Sequence, residues 1–445
     1  MHTHKRSYHC ALFTFFTTLA MASTLASGQH YYLAFPLTSP SPAMDEQYGV
    51  GLAMGESNLA VGSFRDNVSY GHDGRVYLYN GDTGAYVRTI HGPNSSQNGA
   101  FGWSIALDGD LLLVGSYADF NVNNASGAGY LFNANTGALL ADFVSQIGQS
   151  SDAAGWSVAM QGALALVGAP GYDGGAADGG GVHAYSTELL FQITTILPDI
   201  PIADERFGWS VAIDGDYIVV GAPHQFDSPT ETGSVYVFDV NTGVQLHRII
   251  PAGAVPGDLV GLSVDISEGV IAIGAPFSDA GAVDAGVVYL YDASSGTLID
   301  TYNAPNPGLF NSFGESVSIE AGTLIVGSIG RDQSGQNTGS VFIYSSDGTY
   351  EVTPQFIPEF QEFGRRVVIN DGRIAGAGTG GFGSDTAGYA ALLGRYCNAD
   401  INADGSRDFF DVSAFLKFQF DYNGDGQFDF FDVSAFLSDF NSDCI

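Results

Sequence analysis

Asp400, Asn402, Asp404, Asp408 and Asp411 occupy positions 1, 3, 5, 9 and 12 of a twelve-residue stretch whose sixth residue is Gly405. Asp421, Asn423, Asp425, Asp429 and Asp432 repeat the set 21 residues later, around Gly426. Carboxylate and amide oxygens at these offsets can wrap a hard cation of calcium's size. The glycine permits the sharp turn, and the backbone carbonyl at position 7, Ser406 or Gln427, completes the ligand set. A solvated acidic linker would not keep two copies in register, so the spacing predicts two bound Ca²⁺ ions. Position 12 is Asp and not the longer Glu, which requires the segment after it to start closer to the ion.

The elements that must position these ligands can be read beside them. Val412, Phe415 and Leu416, and again Val433, Phe436 and Leu437, fall at i, i+3 and i+4 after the loops, which predicts two short amphipathic helices. Neither would be stable alone, and pairing them buries the phenylalanines. Cys397 and Cys444 bracket the unit, and a disulfide between them is expected in an exported chain. Closing that loop would remove roughly 4 kcal/mol of unfolded-chain entropy. The whole, residues 397–445, resembles a dockerin, and most closely the cysteine-bounded dockerin-like tails of secreted planctomycete proteins. The resemblance implies an α-helical EF-hand pair that docks on a cohesin-like or other extracellular scaffold protein. It departs from cellulosomal dockerins at positions 10 and 11, where Phe409-Phe410 and Phe430-Phe431 stand in place of partner-reading Ser or Thr. Those phenylalanines suit a core and an aromatic docking surface equally.

The remainder of the chain is periodic. Phe-Gly-Trp-Ser at Phe101–Ser104 returns at Phe207–Ser210, and the lead glycines Gly49, Gly102, Gly155, Gly208, Gly261, Gly314 and Gly364 are spaced by 53 five times and then by 50. Two further glycine series, from Gly62 to Gly327 and from Gly74 to Gly339, keep the step of 53. Within one copy, Trp209 to Ile213, Tyr217 to Val220, Ser234 to Phe238 and Gln245 to Ile250 read as four strands, with turns at Asp214-Gly215-Asp216 and Asn241-Thr242-Gly243. Four strands per repeat of this length is the pattern of a propeller blade. The seventh copy lacks a fourth strand, and Tyr31-Tyr32-Leu33-Ala34-Phe35 is a strand without a blade. The fold expected is therefore mainly β, a seven-bladed propeller of four-stranded blades closed by its N-terminal strand. A linear solenoid would need polar caps that neither end supplies.

These motifs resemble the FG-GAP repeats of the integrin α-chain propeller, carried here by Phe207-Gly208 and Gly221-Ala222-Pro223 over residues 29–396. The resemblance implies the fold, and it implies roles as various as adhesion, scaffolding and support of catalytic domains. The loops after the Gly-Ala-Pro segments mostly hold one early acid each, at Asp66, Asp119, Asp173, Asp227, Asp279 and Asp332, which suits a turn cap better than an ion site.

Residues 1–28 place Lys5 and Arg6 before an apolar run ending in Ala26-Ser27-Gly28, which predicts a cleaved signal peptide and a secreted, extracellular or cell-surface protein. No other stretch is apolar enough to span a membrane, and a monomer is expected. With 48 Asp and Glu against 14 Lys and Arg, the formal charge of −34 rules against nucleic acid. The hydrophobic share of 45% rules against disorder. Trp103, Trp156 and Trp209 share one repeat position and are read as blade packing in preference to a carbohydrate platform, and His183 stands where other copies have Tyr, as a half-buried blade residue. No catalytic order, thiol nucleophile, phosphate loop or histidine zinc spacing stands out. The expected function is a non-catalytic binding or structural propeller with a glycan or protein ligand. The alternative is a polysaccharide lyase or hydrolase with its site in the central channel, which non-periodic polar residues at one mouth of the ring would favour.

Overall fold

The computed structural model describes residues 31–40, 46–65, 74–93, 99–119, 126–145, 149, 151–224, 231–331, 338–346, 348–353, 362–379 and 388–395. These residues form seven four-stranded antiparallel sheets. The fourth blade shows why the sequence gives this unit. Its strands are Ser210–Asp214, Tyr217–Ala222, Ser234–Asp239 and Gln245–Ile249. The middle two are β-branched and aromatic and almost wholly buried, as strands sandwiched between neighbouring blades must be. The outer strand buries Ile249 and leaves Leu246 and Arg248 exposed. Asp239 Oδ1 caps the outer turn by accepting from the Thr242 amide and hydroxyl, both at 2.7 Å. Asn80 and Asn133 do the same for Thr83 and Thr136 in the first two blades.

The three glycine series converge on one joint between blades. Each lead glycine has φ between 85° and 94°, a region closed to most side chains. In six of the seven, the residue before it pairs in parallel with the third glycine of the preceding blade, as Phe207 does with Gly180 and Phe313 with Gly286. A Cβ on Gly221 would lie 2.1 Å from the Gly261 carbonyl oxygen, and one on Gly168 2.2 Å from that of Gly208. Above this contact Ser104, Ser157, Ser210 and Ser263 donate their hydroxyls to the lead glycine carbonyls of the next blade, each at 2.8 Å. The constant step of 53 is thus the requirement that every joint meet its neighbour at the same height.

Apolar burial follows the joints. One hydrophobic cluster lies between each pair of adjacent blades, including the one that unites Leu37, Ala390 and Leu392 of the last blade with Tyr48, Val61 and Tyr77 of the first. Closure is as the sequence predicts. Tyr31–Leu37 pairs antiparallel with Tyr389–Arg395, and the seventh blade has the strand order Tyr31–Leu37, Tyr389–Arg395, Arg373–Gly378, Arg366–Asn370. A polar clamp adds to it: Arg373 of the last blade donates to Asp82 at 3.0 Å and to the Gly55 carbonyl at 2.9 Å in the first. The tail from 397, with its calcium ligands, helices and cysteines, and the leader 1–28 lie outside the described residues. Among the described residues no helix is long and apolar enough to cross a membrane.

Candidate functional site

The residue after each lead glycine lies within the inner strand or just before it, and in six of the seven blades it lines one mouth of the central channel. Trp103, Trp156, Trp209, Leu262, Glu315 and Arg365 fall here in blade order around a cavity of about 530 Å³. The tryptophans form a continuous arc. Trp156 lies with its ring centroid 4.9 Å from Trp103 and 4.5 Å from Trp209, tilted by 48° and 50°. Tyr117 packs edge-on against Trp103 and Trp156 at 4.9 and 5.0 Å, and Phe64 against Trp103 at 5.2 Å, so the indoles are held from behind. The expectation of blade packing is corrected in part: the rings do pack from blade to blade, but they remain part-exposed on the channel wall. Periodicity could show that the position was shared, but only ring closure makes the shared position face a common cavity.

Across the cavity the wall is charged and does not repeat. Arg365 lies 3.8 Å from Glu315 and 3.4 Å from Glu362. Arg366 takes the place that serine holds in blades two to six, and donates from Nη1 to the Arg365 carbonyl at 2.9 Å. Burial lowers its guanidinium to about 10, with Arg365 adding to the effect and Glu315 opposing it, so it is a cation at neutral pH. At the other end of the channel, a cavity of about 380 Å³ includes Asp265, where the second, third and fourth blades have Ala106, Ala159 and Ala212. Asp265 accepts from the Ile319 amide at 2.8 Å and the Ser318 hydroxyl at 3.0 Å in the next blade. Burial nevertheless pushes its carboxyl up to about 6.

Two clusters away from the channel resemble catalytic sets and differ from them in chemistry. Glu205, wholly buried, accepts from Tyr236 at 2.6 Å, Ser234 at 3.0 Å and Arg248 at 3.1 Å, with His224 Nε2 at 3.9 Å. In a hydrolytic triad the base stands between nucleophile and acid. Here the acid stands in the middle and accepts the serine's hydrogen bond itself, so the set ties the loop before Phe207 to its own blade. Burial lowers the His224 imidazole, against the pull of Glu205 and Glu231. The half-buried position expected for His183 is corrected to a fully buried one. Its Nδ1 meets Thr195 Oγ1 at 2.9 Å, and burial lowers its pKa to about 4.

Of the described blade loops, those of Asp173 and Asp279 behave as turn caps, whereas Asp119 bonds a side chain. Asp173 accepts from the Asp178 amide at 2.7 Å and Asp279 from the Asp284 amide at 3.0 Å, while Asp119 accepts from the Tyr130 hydroxyl. Asp66, Asp227 and Asp332 lie outside the described residues, as do Asp400, Asn402, Asp404, Ser406, Asp408 and Asp411 and the second set, Asp421, Asn423, Asp425, Gln427, Asp429 and Asp432. Among the described residues no three His, Cys, Asp or Glu side chains are gathered so as to hold a metal.

Seven radial sheets around a lined channel define the class, a seven-bladed β-propeller. Residues 87–132, 192–238, 244–291 and 308–344 match the family described as FG-GAP repeat. The first three matches each begin near or within the outer strand of one blade and run through three strands of the next, so each contains a complete joint. That one-strand offset is what leaves Tyr31–Leu37 to complete the ring. Comparison with curated proteins gives no match.

Proposed function

We propose that the chain is an exported, non-catalytic binding or structural propeller held at an extracellular scaffold or surface by its calcium-loaded tail. The observation that carries the binding reading is the channel mouth. The repeated glycines and serines are taken up by the joints between blades, while the tryptophan arc and the arginines face a cavity of ligand size. FG-GAP repeats are typical of extracellular and surface proteins, in agreement with the leader at 1–28. The tether rests on the two registered acidic loops, whose eight carboxylates repel one another until Ca²⁺ fills them. Calorimetric titration of the chelator-treated full chain is expected to show two equivalents of Ca²⁺, and Asp400→Ala one. Absence of uptake would remove the tether and leave the propeller reading standing.

A second reading, a polysaccharide lyase or hydrolase, is favoured by the non-repeating Glu315 and Arg365 at the mouth. It is the weaker because Glu315 lies in ion-pair range of Arg365, and the described residues of that wall include no histidine or thiol to share acid–base work. Turnover of neutral or acidic polysaccharides that disappears in Glu315→Gln would establish it.

A further inference from the structure

Arg366 breaks the repeat in a way that blade assembly does not require. Ser104, Ser157, Ser210, Ser263 and Ser316 fill the equivalent position, and Gly51 fills it in the first blade. Four of those serines make the joint bond, and Ser316 accepts from the Val367 amide at 3.0 Å. Arg366 instead sends a cation along the channel wall. Among the described residues no carboxylate lies within ion-pair distance of it, whereas its neighbour Arg365 has Glu315 and Glu362. Glu315 acts on it only from beyond that distance, and an arginine so placed in a channel wall points to an anion from outside.

The same cavity presents the tryptophan arc. An indole face attracts either a cation or a sheet of C–H groups, and the guanidinium of Arg366 in the same wall, which has no ion-pair partner among the described residues, disfavours a second cation. Next to the tryptophans in the same cavity, Ser104, Ser157 and Ser210 have committed their protons to carbonyls of the next blade, so their oxygens remain as acceptors for hydroxyl donors. Anion, C–H face and hydroxyl donors together describe one ligand class. Building on the binding reading, we infer that the channel mouth takes a carboxylated sugar unit of an acidic glycan, its carboxylate on Arg366 and one ring face on the tryptophan arc. The cavity of about 530 Å³ admits one or two such units.

The test is titration of the full chain with oligogalacturonate and with a neutral oligosaccharide of equal length, read by tryptophan fluorescence and calorimetry. The acidic oligomer is expected to bind at least tenfold more tightly than the neutral one. Arg366→Ser, which restores the residue of five other blades, should abolish that preference while leaving the melting temperature within a few degrees. Trp156→Phe should weaken both sugars. Equal binding of the two sugars, or an acidic preference that survives Arg366→Ser, would overturn the inference and leave the binding propeller intact. Binding of neither sugar, with a peptide C-terminal carboxylate bound instead, would also overturn it. Cleavage of the bound oligomer would instead overturn the non-catalytic reading and keep the site.

Discussion

The hydroxyl of Ser210 donates to the carbonyl oxygen of Gly261 at 2.8 Å, although the two residues belong to different blades. Gly261 can accept that bond because its φ of 85° turns the carbonyl back toward the fourth blade, and because Gly221 beside it has no side chain. This joint therefore uses one serine and two glycines at fixed separations, and the joints made by Ser104, Ser157 and Ser263 repeat it. Ser210→Ala is expected to cost about 1 kcal/mol, the usual net worth of a single hydrogen bond, read as a lower denaturant midpoint at unchanged slope. Gly221→Ala drives a methyl to 2.1 Å from the Gly261 oxygen and should cost several times more, or prevent folding. Equal stability of the two variants would show that the joint is not the limiting contact.

Removal of residues 31–37 strips the edge from Tyr389–Arg395 and takes Leu37 out of the cluster between the last and first blades. An unpaired strand edge is a template for association. The truncated chain is expected to aggregate or to lose its cooperative thermal transition, measured by light scattering and calorimetry. A monomer that melts with the parent would refute closure by this strand.

His183 should make the ring acid-sensitive. Its folded-state pKa of about 4 lies below the unfolded value of 6.5, so between those values the unfolded chain binds the extra proton. The contribution is complete above pH 6.5 and is lost as pH falls through 4, by an amount on the order of 3 kcal/mol. His183→Gln keeps a polar group near Thr195 without a titrating proton. The variant should show a shallower loss of stability between pH 6.5 and 4 than the parent, in denaturant melts taken across that range.

Asp265 acts with the opposite sign. Its carboxyl, raised to about 6, is protonated in the folded state where the unfolded chain has already ionised, so its contribution is present below pH 3.8 and is lost as pH rises through 6. Asp265→Asn retains an oxygen acceptor for Ser318 and Ile319 and removes the ionisation. At pH 8 the variant is expected to be more stable than the parent by roughly 1–3 kcal/mol, and at pH 4 to match it. A uniform loss at both pH values would mean that the ionised carboxylate is the form the channel needs.

What the sequence determined by itself is everything that depends on repetition. Glycines at a step of 53 have to serve the same contact in every copy, so blade number, strand order within a blade and the turns at Gly215 and Gly243 could be read before any coordinate. The missing fourth strand of the seventh copy likewise called for the strand at Tyr31 to Phe35, which the structure carries on to Leu37. The tertiary structure decided what depends on closure. Trp103, Trp156 and Trp209 share a repeat position whether they face a core or a channel, and only the ring turns that position inward. Arg366 shows in sequence merely as a departure from serine, and its meaning comes from a wall that sets it across a cavity from indoles. Glu205 met Ser234, Tyr236 and Arg248 through folding back of its blade, a proximity that no local spacing encodes. Strand and turn formation is governed by near neighbours in sequence, whereas a site is assembled from side chains that only long-range packing brings together.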